Sequence, residues 1–484
     1  MLYTDLLKQL HDYPAIEDDT RFITKGALYV AGGGQDKALH YAKEAIRRGA
    51  RAIVGSAALL EGSDLSYIKA PEGVHYAAEL ARLYYRNPSE KLLLLGVTGT
   101  CGKTTTTYLL EAILTEAGYK VGVIGTENYR YANIIQASQN TTPGPLLLSK
   151  LLRTMLDAGC NAVIVEVSSH GIKHARTQGL LFDGAIFTNL SLEHQDFHPT
   201  MEDYFLTKSR LFTEYADLAI KSGKKFHACV NVRDPYGLRL ADIIASLMGD
   251  QYAQLKFSRD QAELRLSVEG IRGEALGVSI NSSLLGNFNA ENILGAVGMA
   301  KLLHLPADKI ASGITKLTAV NGRMEKIVKH HKQIIVDFAH KPEALEQVLL
   351  TLKPLCKGKL VVVFGCGGNR DKTKRPVMGH IAVQHADRVY LTSDNQRLEP
   401  IDAILNDILS GITSDYLHKV SVIPDRKQAI AAALAALGPD DVVLVAGRGS
   451  EPELSLFDPA TGTSTQIPFR DRDVILALLI APAQ

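Results

Sequence analysis

Residues 92–113 read LLLLGVTGTCGKTTTTYLLEAI: four leucines, a glycine turn, Gly102-Lys103-Thr104-Thr105, then a helix-like stretch. This segment constrains the chain more than any other. A run apolar on both faces predicts a buried strand. Glycines let the backbone bend until its N–H groups face an anion, and the start of a helix adds partial positive charge there. In such a loop Lys103 reaches the β- and γ-phosphates of a nucleotide and Thr104 coordinates Mg²⁺. Gly99, Thr100, Gly102 and Thr105 frame the same phosphates. Gly102 follows Gly96 by six positions instead of the common five. A bare glycine turn is the competing reading, but GKTT at a strand–helix junction favours a nucleotide. The loop does not say what becomes of the phosphate.

About ninety residues precede this loop. They carry GALYVAGGG and then YAKEAIRRGARAIVGSAALL, which predicts strand, glycine turn, helix and strand. The unit ends near YYRNPSEK, where Asn-Pro suggests a linker. From Leu92 onward strands alternate with helices: KVGVIGT, GPLLLSKLLRTMLDAG, NAVIVEVSS, GAIFTNL and a single helix over MEDYFLTKSRLFTEY. That alternation predicts a mainly parallel sheet covered on both faces. Residues 255–286 are shorter and more alternating, which fits a small antiparallel annex to this sheet. The helix NAENILGAVGMAKLLHL follows. A second α/β series begins after AVNGRMEK, with strands QIIVDFAH, KLVVVFGCGG, DRVYLTSDN and DVVLVAGRG between helices. Its strands end in polar or glycine residues, where open α/β sheets bind ligands. The expectation is α/β with three domains: a small N-terminal α/β domain over 1–88, a central P-loop parallel-sheet domain over 89–320, and a Rossmann-like domain over 321–484.

Length supports this count, since 484 residues allow about three domains. A net charge of +1 argues against a broad nucleic-acid surface. KSGKK and KHHK read as solvated loops. Five scattered cysteines with no CxxC pair suggest a reduced compartment without a disulfide framework or zinc ribbon. The N-terminus is too polar for a signal peptide, and no apolar run is long enough to span a membrane. A cytoplasmic protein without a membrane or nucleic-acid partner is expected.

Further residues carry chemistry of their own. Glu166, at the end of NAVIV, places a carboxylate beside the phosphate loop and suits a hard cation. His170, His174, His194 and His198 form two HxxxH spacings. Both lie next to strand ends, so one-face geometry for zinc is doubtful. Lys208 stands on a predicted helix among apolar neighbours, where a snorkelling surface lysine is the ordinary reading.

The motifs GTCGKTT, NTTP, EVSSHG, FTNLSLEHQDFH, YFLTKSRLF, GNFNAEN, NGRME, VDFAHKPEAL, FGCGGNRDKTKRP, TSDNQR and AGRGSE recur in one order over nearly the whole chain. In this the chain resembles the Mur ligase family, ATP-dependent enzymes that add one amino acid to a growing cell-wall peptide. The members that extend UDP-N-acetylmuramoyl-L-alanyl-D-glutamate are the most similar type. The resemblance implies UDP-binding, ATPase and amino-acid-binding domains, which accounts for the leading ninety residues, and a monomer.

It also implies roles. Glu166, Thr104, His194 and Lys208 hold Mg²⁺, Lys208 as a carbamate made from CO₂. Asn289 and Asn292 lie near the adenine, and Arg323 and Asp337 reach phosphate and ribose. A helix N-cap for Asn289 and a surface ion pair for Arg323 are the plainer alternatives. Thr20, Thr141, Thr142, Ser168, His174 and Arg176 match positions that hold the UDP-sugar dipeptide, with loop capping as the alternative. Arg370, Asp394, Asn395, Arg397, Gly447 and Glu451 match positions that meet the incoming amino acid. An arginine can grip the distal carboxylate of meso-diaminopimelate and a glutamate its distal ammonium. The pattern therefore favours diaminopimelate over lysine. Relatives using it carry DNPR and GKGHE; here Gln396, Arg448 and Ser450 replace Pro, Lys and His, and Cys101 replaces the usual loop asparagine.

The resemblance implies transfer of the ATP γ-phosphate to a carboxylate, followed by attack of an amine. Three rivals stay open: a divergent ligase joining another amine or acid, a plain P-loop kinase or NTPase, and a nucleotide-binding regulator without turnover. Intact Lys103, Glu166 and Lys208 disfavour the last.

Overall fold

Leu93–Thr98, the strand that feeds the glycine turn, lies between Gly184–Phe187 and Ala162–Glu166, parallel to both. The structure is a computed structural model that describes residues 1–56, 60, 66–194, 197–247, 249–329 and 332–480. Two compact units divide the chain. One comprises Met1–Ala262, Ala275–Val278 and Glu291–Ile314, the other Glu263–Glu274, Ser279–Ala290 and Thr315–Gln484. The fold is α/β, with three mainly parallel sheets among the described residues.

In the first unit the N-terminal sheet orders Ile16–Glu17, Leu28–Val30, Ala52–Gly55 and Ile68–Lys69, parallel throughout. Helix Gln35–Arg47 buries Ala38, Ala42 and Ala45 against Tyr29 and Ile53. Small residues at helical spacing let it lie close to the sheet. Of the following SAALL stretch, residues 57–59 lie outside the described residues.

The central sheet has eight strands, in the order 252–257, 226–231, 184–187, 93–98, 162–166, 121–124, 128–131 and 134–137. The first six are parallel; the last two form an antiparallel hairpin the sequence did not announce. The strands beside the phosphate loop are buried on both faces, which explains their unbroken apolar character. Helix Lys103–Glu116 stops before Gly118, whose φ of +91° suits glycine.

Three expectations are corrected here. MEDYFLTKSRLFTEY is not one helix: Met201–Ser209 ends and Glu214–Lys221 begins after a tight turn. In that turn Leu211 N–H donates to Lys208 O and Phe212 N–H to Ser209 O, and both side chains become fully buried. The antiparallel annex is not joined to the eight-stranded sheet. Glu263–Ser267, Gly270–Ala275 and Val278–Ser282 form their own sheet, most of which groups with the second unit. Nor is KSGKK all solvated. Lys224 is 14% exposed and its Nζ donates to Ser89 O, Leu92 O, Leu181 O and Asp183 Oδ2. The Asn-Pro segment is therefore pinned, after Arg86 and Asn87 end the preceding helix with positive φ. In KHHK, His330 and His331 lie outside the described residues.

The second unit is built on a six-stranded sheet: 325–329, 332–337, 442–446, 360–364, 388–391 and 420–422. Its first pair is antiparallel and the rest parallel. A separate hairpin, Glu453–Asp458 with Thr463–Pro468, follows the strand Val442–Ala446. Among the described residues no helix is long and apolar enough to cross a membrane.

Candidate active site

The phosphate loop leaves its strand at Thr98 and enters its helix at Lys103. Gly99 and Gly102 have φ of +142° and +86°. A Cβ on Gly99 would stand 2.0 Å from Thr188 Oγ1, and one on Gly102 2.2 Å from Asn292 Oδ1. Only glycine fits either position. The loop is braced from the neighbouring strand: Cys101 N–H donates to Asn189 Oδ1 at 2.9 Å and Thr188 Oγ1 to Cys101 O at 2.6 Å.

Two lysines converge on this loop. Lys103 Nζ donates to Gly99 O at 3.0 Å and Thr100 O at 2.8 Å, and Lys208 Nζ donates to Gly99 O at 2.9 Å. Lys208 is 1% exposed, which corrects the snorkelling reading. Burial, and next the charge of Lys103, hold its ammonium well below the usual lysine range. Its Nζ lies 4.7 Å from the centre of the Tyr204 ring, and the Tyr204 hydroxyl is 3.3 Å from Thr100 Oγ1. Tyr204 stands one helical turn before Lys208; i, i+4 spacing was the signal that could have found it.

Glu166 is 1% exposed at the end of the adjoining strand, opposite Val97. Thr126, which the sequence did not single out, donates to both its carboxylate oxygens. His194 has φ of +57°; its ring lies 4.7 Å from that of His170 and 6.2 Å from that of Tyr204. Gln195 and Asp196 of its motif lie outside the described residues.

The four histidines of the HxxxH spacings do come together. His170 and His174 belong to one turn, since Ser169–Lys173 is helical and His174 caps it. His170 stacks on Phe197 at 3.9 Å, and His198 Nδ1 bonds Asp203 Oδ2 at 2.6 Å. Among the described residues no group of three or more His, Cys, Asp or Glu side chains is arranged to hold a metal.

Thr141, Thr142, Ser168 and Arg176 meet beside Glu166. Thr142 Oγ1 donates to Glu166 O and lies 3.1 Å from Ser168 Oγ; Arg176 Nη1 donates to Thr142 O, and Thr141 Oγ1 is 2.9 Å from Thr126 Oγ1. Ser168 also caps its helix, accepting from Gly171 N–H. Burial lowers the His174 pKa, helped by Arg176. Thr20 is buried two residues after Asp18, whose carboxylate comes within 3.6 Å of where a Cβ on Gly144 would stand. Asn292 is placed at the loop. Asn289 is not an N-cap: the helix begins at Asn287 and Asn289 Nδ2 donates to Leu285 O at 2.8 Å.

In the second unit, Arg323 lies over Phe338, 4.5 Å from the ring centre. Asp337 accepts from Met324 N–H and Ala339 N–H; burial raises its pKa while Arg323 opposes the rise. Arg397 and Arg370 both stand beside Gly367, and Arg397 Nη1 donates to Gly368 O at 2.9 Å. Asn395 Nδ2 donates to Glu451 Oε2 at 2.8 Å, and Asp394 Oδ2 lies 2.8 Å from where a Cβ on Gly447 would stand. Buried Arg448 reaches Asn395 Oδ1 at 3.0 Å, Glu451 at 3.5 Å and Asp394 at 3.9 Å. Burial and Asp394 raise the Glu451 pKa. Two carboxylates about one guanidinium leave an excess negative charge, with the cations Arg370 and Arg397 nearby. Such a surface is complementary to a zwitterion.

A glycine-bent loop with lysine and threonine opening a helix, set on a buried parallel strand, defines a P-loop nucleotide-binding α/β protein. Residues 97–300 match the family described as Mur ligase middle domain, and 322–449 that described as Mur ligase, glutamate ligase domain. The UDP-N-acetylmuramoyl-L-alanyl-D-glutamate--2,6-diaminopimelate ligase of Geobacter metallireducens is 39% identical over 456 residues, 90% of this chain and 88% of that one. The protein of the same name from Gloeobacter violaceus is 39% identical over 476 residues, 96% and 93% of the two chains. A solved structure of a ligase of that name superposes with a TM-score of 0.68 at 28% identity, over 96% of this chain and 94% of the other. The chain belongs to the Mur ligase family.

Proposed function

We propose that the chain is an ADP-forming ligase that joins meso-diaminopimelate to UDP-N-acetylmuramoyl-L-alanyl-D-glutamate, a step in building peptidoglycan precursors. The observation that carries this reading is the convergence of Lys103 and Lys208 on the Gly99 carbonyl. A P-loop lysine alone serves any nucleotide hydrolase. A second, fully buried lysine at the same carbonyl, its ammonium disfavoured by burial and by the charge of Lys103, is suited to take up CO₂ as a carbamate.

In this reading residues 1–88 bind the UDP-sugar, 89–320 bind ATP and 321–484 bind the amino acid. The D-glutamate γ-carboxylate attacks the ATP γ-phosphorus, forming an acyl phosphate and releasing ADP. The free amine then attacks the carbonyl carbon and loses its proton, and phosphate departs as the C–N bond remains. A carboxylate lacks a leaving group, and phosphorylation supplies one. Lys103 and the loop N–H groups neutralise charge on the transferring phosphoryl group. Thr141, Thr142, Ser168, His174, Arg176 and Thr20 orient the acceptor. Arg397 and Arg370 hold the distal carboxylate of the amine substrate, and Glu451 and Asp394 its ammonium. Much of the rate comes from this alignment.

The donors fit Mg²⁺: the Glu166 carboxylate, the Thr104 hydroxyl, a Lys208 carbamate and His194 are mostly hard oxygen groups. A site completed by substrate phosphates needs no all-protein cage. The ion would screen the negative charge that accumulates during phosphoryl transfer.

The test is phosphate release from ATP with UDP-muramoyl dipeptide and a panel of amino acids. Diaminopimelate should lead lysine by at least about tenfold, one arginine–carboxylate contact's worth. ADP formation without any amine would favour a kinase or NTPase. A lead for lysine would remove the role given to Arg397.

A further inference from the structure

The hairpin Glu453–Asp458/Thr463–Pro468 has one edge that its partner strand cannot satisfy, and the segment Asp394–Arg397 satisfies it. Ser455 N–H donates to Asn395 Oδ1 at 2.8 Å, Gln396 N–H donates to Ser455 O at 2.7 Å, and Phe457 N–H donates to Gln396 Oε1 at 3.0 Å. Two side-chain carbonyls thus stand in for backbone ones along an open strand edge. Gln396 is 8% exposed, so these bonds are sheltered from water. From the other side Gly368 N–H donates to Asn395 O, and a Cβ on Gly368 would meet Gln396 O at 1.9 Å. The segment is clamped between the Gly367–Gly368 turn and the hairpin.

Arg397, the next residue, has φ of +55°. A non-glycine residue rarely adopts this conformation and persists in it only where its surroundings fix it. We infer that Gln396 is a positioning residue: by stitching its loop to the hairpin it fixes the backbone of Arg397 and so selects which amine is accepted. This rests on the reading of Arg397 as the carboxylate-binding residue. Gln396 touches no reacting group; it acts through Arg397. Proline in its place could make neither bond, having no N–H and no side-chain acceptor.

The experiment compares Gln396→Glu, Gln396→Ala and Gln396→Pro in the full chain. The first keeps both bonds, the second keeps the N–H bond, and the third keeps neither. KM values for diaminopimelate, ATP and UDP-muramoyl dipeptide are measured, with hydrogen exchange at the Phe457 amide. The expected result is faster exchange at Phe457 in the alanine variant. Its KM for diaminopimelate should rise about tenfold, one buried hydrogen bond's worth. KM for the other two substrates should stay within about twofold, and the preference over lysine should shrink. The proline variant should be worse and the glutamate variant close to wild type. Unchanged exchange at Phe457 overturns the inference whatever the activity, as does altered exchange with an unchanged KM for diaminopimelate. Wild-type protein that releases phosphate with no amino acid overturns the functional reading itself.

Discussion

Thr126 holds both oxygens of the Glu166 carboxylate: its backbone N–H donates to Oε1 at 3.1 Å and its hydroxyl to Oε2 at 2.9 Å. Glu166 is buried, and a carboxylate in that setting needs such partners to keep its orientation. Thr126→Val retains the backbone bond and loses the hydroxyl. The concentration of Mg²⁺ giving half-maximal phosphate release should rise on the order of tenfold, while Thr126→Ser should behave like wild type. An unchanged Mg²⁺ titration in the valine variant would show that Thr126 does not orient a metal ligand.

Burial disfavours the Lys208 ammonium where it stands. Its folded-state pKa is depressed, so between that value and 10.5 the unfolded chain binds more protons than the folded one. Stability of the uncarbamylated protein should therefore rise with pH through this window. Lys208→Met removes the buried amine. It should raise stability at pH 7 by about 1 kcal/mol or more, flatten the pH dependence, and lower ligase activity by on the order of 100-fold. Urea unfolding at several pH values and a turnover assay check both halves. A variant less stable than wild type would contradict the account of burial.

What the sequence made legible here was mostly local. The phosphate loop could be read because glycine conformation and helix-start chemistry are encoded in adjacent residues. The alternation of apolar strands and helices gave the sheets for the same reason. Lys208 was visible as a motif residue but its burial was not, because the carbonyl it reaches is 109 positions away. Gln396 stood out only as a departure from DNPR; its partner Phe457 is 61 positions off, on a hairpin no pattern announced. The break after Ser209 was missed because apolar spacing continues through it, and only burial of both Leu211 and Phe212 requires the turn.

Arg375 is fully buried and grips Glu399 through two bonds of 2.8 Å, with Asp407 at 2.8 Å and Gly367 O at 3.1 Å. Glu399 also accepts from Asn369 N–H, so the pair anchors the turn that carries Arg370. Hydrogen bonds from Arg375 hold the Glu399 carboxyl well below the usual 4.5 despite burial. A depressed carboxylate adds stability that is complete above its unfolded pKa and lost as pH falls. Glu399→Gln should therefore cost about 3 kcal/mol at pH 7, and its deficit relative to wild type should narrow below about pH 4.5. Parallel denaturation curves at pH 7 and pH 4 measure this. A constant deficit across both would mean the charge is not the source.

Lys224 tests whether the KSGKK run is structural. Its ammonium serves three backbone carbonyls and Asp183, and Asp183 in turn accepts from Leu94 N–H at 2.7 Å. These groups join the Pro88–Glu90 turn to the base of the strand that feeds the phosphate loop. Removing the ammonium leaves the partly buried Asp183 carboxylate without its cation, at a cost of about 3 kcal/mol. Lys224→Met should lower the denaturation midpoint accordingly and leave KM for ATP nearly unchanged, because the damage lies at the opposite end of the strand from Lys103. Lys225→Met, at an exposed neighbouring position, should change stability by less than about 0.5 kcal/mol. Equal effects of the two substitutions would return the run to an ordinary solvated loop.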